Sequence, residues 1–210
     1  MKKYLLALLT CVLFSSHSFA QSDSNEYWDI TVFAGERTSD NFEDDEDLEE
    51  GEEAFEVDFL NDSSAGIILG WEFDYNRTGE LLFSHSSTEF DGDVELDDME
   101  ISISYLHIGG TVTVSEGKVP IYIGGGLGVA HLEPGDDTLD SETRPSANLG
   151  IGAKFEFADS LSLRLDARGY ATFFDSDGFL FCSGNKGCVI RTESNMWLQG
   201  EFTVGLTYRF

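Results

Sequence analysis

The stretch SAGIILGWEFDY, Ser64–Tyr75, decides the fold. Ala65, Ile67, Leu69, Trp71, Phe73 and Tyr75 hold one phase of a two-residue repeat, and Gly66, Gly70, Glu72 and Asp74 hold the other. Strand side chains alternate between faces, whereas a helix returns to one face every three or four residues, so this pattern predicts a strand with one apolar face. Near the start of the chain, Trp28, Ile30, Val32 and Ala34 alternate with Asp29, Thr31 and Gly35. Further on, Ala147, Leu149, Ile151, Ala153, Phe155 and Phe157 alternate with Asn148, Gly150, Gly152, Lys154 and Glu156. Leu161, Leu163, Leu165 and Ala167 do the same against Ser162, Arg164, Asp166 and Arg168. The chain closes on EFTVGLTYRF, with apolar Phe202, Val204, Leu206, Tyr208 and Phe210 in one phase.

The pattern predicts eight strands, over 27–36, 64–75, 79–88, 99–114, 119–131, 145–157, 160–173 and 195–210. Short turns at Asn76–Gly79, Ser115–Val119 and Ala158–Ser160 separate long polar loops at 37–63, 89–98, 132–144 and 174–194. Short and long connections in alternation suit an antiparallel meander with a tight rim and a shaggy one, an all-β, eight-stranded up-and-down barrel.

The polar phase is rich in glycine and in charges of both signs, namely Glu72, Asp74, Lys154, Glu156, Arg164, Asp166, Arg168, Glu201 and Arg209. Small residues and compensating ions fit a narrow lumen, which leaves the nearly unbroken apolar phase facing lipid. Closure satisfies every backbone hydrogen bond within the bilayer. Tyr27, Trp28, Tyr75, Phe157, Tyr208 and Phe210 are expected at the short-turn rim and Phe90, Phe173 and Trp197 at the other, forming two aromatic girdles.

Lys2 and Lys3 precede an apolar run, Tyr4–Phe14, and Ser18-Phe19-Ala20 places small residues at a cleavage site. Residues 1–20 thus read as a secretory signal peptide, and 21–210 as the barrel domain. A lipoprotein cut before Cys11 is the rival reading, opposed by bulky Thr10 and apolar Val12–Phe14.

Forty acidic residues face twelve basic ones, for a formal net charge of −28. Nucleic acid is therefore excluded as a partner of the bare protein. Thirteen acids fall between Glu36 and Asp58 against the single base Arg37, a block that repels itself and reads as a solvated loop, with weak divalent-cation binding at Asp44, Asp45, Glu46 and Asp47 as the alternative. In all, 27 acids fall on the long loops and their margins. Cys182 and Cys188, in FCSGNKGCVI, are spaced to close a small ring in an oxidising compartment, so a disulfide is expected.

The ending resembles the C-terminal assembly signal of bacterial outer-membrane proteins in its terminal Phe210, Tyr208 two residues earlier, and alternating Leu206, Val204 and Phe202. VPIYIGGGLGVAHL (Val119–Leu132) and LSLRLDARGYATFF (Leu161–Phe174) resemble strands of the small OmpA/OmpX-like outer-membrane β-barrel family. That resemblance implies a Gram-negative outer-membrane location, contact with lipopolysaccharide, and insertion by the barrel assembly machinery, which reads the C-terminal strand. It does not carry over wall anchoring, since no peptidoglycan-binding domain follows Phe210.

Other chemistry is weaker. Gly124-Gly125-Gly126-Leu127-Gly128 lacks the following helix that a dinucleotide loop requires, and no cofactor is expected. His85 and Ser87 share the outward phase, with Asp97 and Asp98 beyond, loosely similar to the His-x-Ser of outer-membrane lipid A deacylases; the Asn-Ala-Gly that follows the serine there is missing. The expected role is thus non-enzymatic: a monomeric barrel with a side-chain-filled lumen and acidic outer loops that gather calcium or magnesium. A narrow gated channel and the His85/Ser87 hydrolase are the alternatives.

Overall fold

Alternation of apolar and polar side chains gives long strands because each residue can satisfy its backbone on both neighbours while sorting its side chain to one face. The computed structural model describes residues 27–39, 58–59, 62–74, 76–91, 100–115, 117–135, 140–174, 179–183, 187–191 and 196–210. Its strands are β1 (Trp28–Ser39), β2 (Asp58–Phe59), β3 (Asp62–Asp74), β4 (Arg77–Asp91), β5 (Glu100–Ser115), β6 (Ile121–Pro134), β7 (Glu142–Ala158), β8 (Leu161–Phe173), β9 (Phe179–Ser183), β10 (Gly187–Arg191) and β11 (Met196–Arg209). All pairings are antiparallel: β1, β3 to β8 and β11 form a closed eight-stranded barrel, with β11 returning to β1 from Asp29↔Arg209 to Ser39↔Gln199. β2 adds two residues to the far end of β4, and β9–β10 form a separate hairpin.

Several strands exceed their predicted limits. β1 continues through Arg37 to Ser39, into what reads locally as an acidic loop, because β3 and β11 flank it and a buried carboxylate receives the arginine. β6 and β7 extend to Pro134 and back to Glu142, and β4 starts at Arg77, which tightens the turn after β3. The predicted signal peptide, the acidic run at 44–47, and Asp97 and Asp98 lie outside the described residues.

The register sets the tilt. The row of partners from Ile30 runs through Leu69, Leu81, Ile108, Leu127, Ala147 and Ala171 to Leu198, whereas Ile30 itself pairs with Tyr208. One circuit therefore climbs ten residues, from Leu198 to Tyr208, which inclines the strands by roughly 40°. The lumen this leaves is wide enough only for side chains.

Faces sort as the alternation demands. Leu149, Phe202 and Ile108 point outward at 73%, 65% and 62% exposure, while Arg37, Arg164 and Glu201 point inward at 1% each. Along β5 the sorting reverses partway. Val114, Val112, Ile108 and Leu106 face out, but beyond Tyr105 it is Ile103 and Ile101 that are buried and Ser104 and Ser102 that face out. A strand leaving lipid for water must exchange its apolar face in this way. Ile101, Ile103, Leu132, Phe174 and Trp197 consequently make an apolar core inside the outer end of the barrel. Trp197 belongs to that core and not to the expected aromatic girdle, since only one phase of β11 faces lipid. Tyr27, Trp28, Phe157, Tyr208 and Phe210 are exposed at the short-turn rim and Phe173 at the other; the side chains of Tyr75 and Phe90 lie outside the described set.

Candidate functional site

The lumen holds the chain's most unusual chemistry, and glycine makes room for it. The inward positions of β6 include Gly124, Gly126 and Gly128, so side chains from β5 and β7 meet over a strand that has none. A Cβ on Gly128 would strike His107, one on Gly152 would strike the Tyr122 hydroxyl, and one on Gly150 would come 2.8 Å from Arg168 Cγ. Over this gap His107 Nε2 lies 2.9 Å from Ser146 Oγ, and its Nδ1 lies 2.6 Å from Asn148 Nδ2.

Two ionic clusters flank that bridge. Toward the short turns, Arg164 contacts Glu80 at 2.8 Å and Asp166 at 2.7 Å, and Arg168 contacts the same carboxylates at 3.0 and 3.2 Å. Tyr122 donates to Asp166 at 2.9 Å and lies beneath the Arg164 guanidinium. Toward the long loops, Arg37 meets Glu201 at 2.7 Å and donates to Ser84 and Ser86. Tyr170 and Ser84 donate to Glu201 at 2.7 and 2.8 Å. The Tyr105 and Tyr170 rings stack with centroids 4.4 Å apart, the Arg37 guanidinium 4.9 and 5.3 Å from them. Tyr105 also donates to Gln199 at 2.6 Å. Each cluster balances its formal charges, as desolvated ions must if burial is not to unfold the barrel.

Of the charges predicted to line the lumen, Arg164, Asp166, Arg168 and Glu201 are buried in these clusters. Lys154 sits 3.6 Å from Asp29 nearer the short-turn mouth. Glu156 and Arg209 are 3.7 Å apart at the rim, where Glu156 and Asp74 are exposed and Arg209 and Glu72 half-buried. The charges expected to line the lumen are therefore divided among different levels. Two members were missed. Glu80 precedes Leu81 and Phe83 in the inward phase, so alternation alone could have found it. Arg37 continues the phase of Asp29, Thr31 and Gly35 but is hidden by the acids after it.

On the exterior, His85 Nδ1 lies 2.9 Å from Ser104 Oγ, and Ser87 Oγ lies 3.1 Å from Ser102 Oγ. Each pairs with the strand beside it, so the geometry does not assemble the His85–Ser87 dyad. Among the described residues, no three potential metal ligands are gathered. Phe202, Val204, Leu206, Tyr208 and Phe210 form an exposed apolar stripe along β11. Cys182 and Cys188 are directly opposed across the β9–β10 hairpin, while their side chains lie outside the described set.

A family profile described as "Outer membrane protein beta-barrel domain" matches residues 6–210. Among solved structures, the chain is similar to the Neisserial surface protein A at a TM-score of 0.55 and 10% identity, covering 89% of this chain and 98% of that one. The outer membrane protein AlkL matches at 0.55 and 14%, covering 92% and 93%. OprG from Pseudomonas aeruginosa matches at 0.52 and 14%, covering 87% and 95%. At these identities the likeness concerns fold alone. No curated protein matches the chain.

Proposed function

The chain belongs to the outer membrane protein beta-barrel family, located in the bacterial outer membrane, and on that footing we propose that it serves as a closed, non-enzymatic barrel that presents acidic loops at the cell surface. The observation that carries this reading is the filling of the lumen at successive levels. Two charge-neutral clusters are separated by the His107–Asn148 bridge and roofed by Ile101, Ile103, Leu132 and Trp197. An apolar constriction opposes hydrated ions whatever the arginines beneath it do, because it offers them no substitute for their water shell.

The C-terminal stripe from Phe202 to Phe210 is the part we assign to recognition by the assembly machinery. Lipopolysaccharide surrounds the barrel, with divalent cations between its phosphates and the acidic loops. Cys182 and Cys188 are assigned a disulfide, since register already places their backbones opposite one another. Purified protein in planar bilayers tests the closed lumen. We expect no steady conductance; ohmic currents abolished by Arg168→Ala would replace this reading with a narrow channel.

A further inference from the structure

The apolar belt has a level inner edge and a slanted outer edge. At the short-turn end, Trp28, Phe73, Val114, Phe157 and Phe210 all face outward and end the belt within roughly two residues of one level, once the climb of the pairing rows is allowed for. At the other end the last outward apolar residue gives way to a polar one early on β1 (Ala34 to Glu36), β3 (Ala65 to Ser63), β4 (Phe83 to His85) and β5 (Leu106 to Ser104). On the opposite flank it does not: Ala171 and Phe173 on β8, and Leu198 and Met196 on β11, continue the apolar face. Phe173, Leu198 and Met196 are 43%, 45% and 42% exposed.

The register converts this into depth. Because a row climbs ten residues per circuit, it gains a little over one residue at each strand. The point of β8 level with His85 then falls between Gly169 and Ala171, and that of β11 at Gly200. Phe173 and Leu198 therefore stand roughly 5–7 Å farther out than His85 yet still present apolar surface. From the β1–β4 flank to the β8–β11 flank the outer edge rises by roughly 12–15 Å. Tilting the whole barrel cannot level it, since any rotation that lowers one outer edge displaces the inner edge equally.

We propose that the outer leaflet meets this barrel at two depths. Headgroups descend on the β1–β5 flank to Glu36, Ser63, His85 and Ser104, and hydrocarbon rises on the β8–β11 flank to Phe173 and Leu198. The bilayer is thinned along one side. Lipid is the occupant of the tall flank because Leu198 and Gly200 continue without interruption the stripe Phe202–Val204–Leu206 that lipid already covers. His85 and Ser104, partners in one row, supply the short flank with hydrogen-bonding groups at headgroup depth. The inference rests on membrane insertion and is independent of whether the lumen conducts.

Spin labels test it. His85→Cys, Ala171→Cys and Leu198→Cys, each in a background with the other cysteines changed to serine, are refolded into dimyristoylphosphatidylcholine vesicles, folding being checked by heat-modifiable migration. The label at 85 should be relaxed by an aqueous nickel chelate and little by oxygen, and the labels at 171 and 198 should behave the opposite way. Equal depth at 85 and 171 would overturn the slanted edge. Labels at 171 and 198 shielded from both reagents, with spin–spin broadening, would show that a second copy covers the tall flank and would also overturn it.

Discussion

Arg37 shows how a residue's partners outweigh its neighbours in sequence. Acids crowd the sequence that follows it, yet its guanidinium is held by Glu201, Ser84 and Ser86 against two stacked tyrosines. The pair is fully buried, so losing one partner strands a charge where water cannot reach it. Arg37→Ala is expected to cost about 3–5 kcal/mol, read as a lowered urea midpoint of the barrel refolded in lipid vesicles. Replacing both ions, in Arg37→Met with Glu201→Met, should recover most of that loss, because removing both charges also removes their desolvation cost. A double variant as unstable as the single one would mean that the hydroxyl and ring contacts, not charge compensation, hold this level of the lumen.

At the scale of the element, the strands carry two messages in one alternation. β11 sends Phe202, Val204, Leu206 and Tyr208 outward and Trp197, Gln199, Glu201 and Thr203 inward, so its lipid face and its lumen face can be altered separately. If the outward stripe is read by assembly machinery, Phe210→Ala will reduce the heat-modifiable protein recovered in outer-membrane fractions. The same variant refolded in vitro into lipid vesicles should still reach the folded, heat-modifiable form, since Phe210 faces outward and makes no contact in the lumen. A matching loss in both assays would make Phe210 a stability residue instead. The β9–β10 hairpin supplies another test. Thiol titration of unfolded, unreduced protein from outer membranes should find Cys182 and Cys188 unreactive, and reactive after reduction; free thiols without reductant would exclude the disulfide.

For the whole molecule, charge is divided by location. The buried ionic clusters of the lumen each cancel their charge, whereas the surplus of acids lies largely on the long connections and their margins. Stability of the barrel and cation binding by the loops should therefore be separable. Chelation with EDTA is expected to raise proteolytic cleavage of the loops while leaving the barrel's melting temperature nearly unchanged; a large fall in melting would show that cations bind the wall itself.

Alternation by itself determined that this chain forms strands with one apolar and one polar face, because a period of two is imposed by strand geometry and needs no knowledge of partners; loop lengths and the charges of the polar phase then pointed to an antiparallel barrel with ions inward. It also marked Arg164, Asp166, Arg168 and Glu201 as inward residues. Tertiary structure alone decided that Arg37 pairs with Glu201, that Glu80 joins the two arginines of β8, that Trp197 turns inward, and that His85 pairs with Ser104. Those outcomes depend on register, tilt and the point where each strand leaves the bilayer. Register follows from long-range pairing between strands distant in sequence, and no local pattern encodes it.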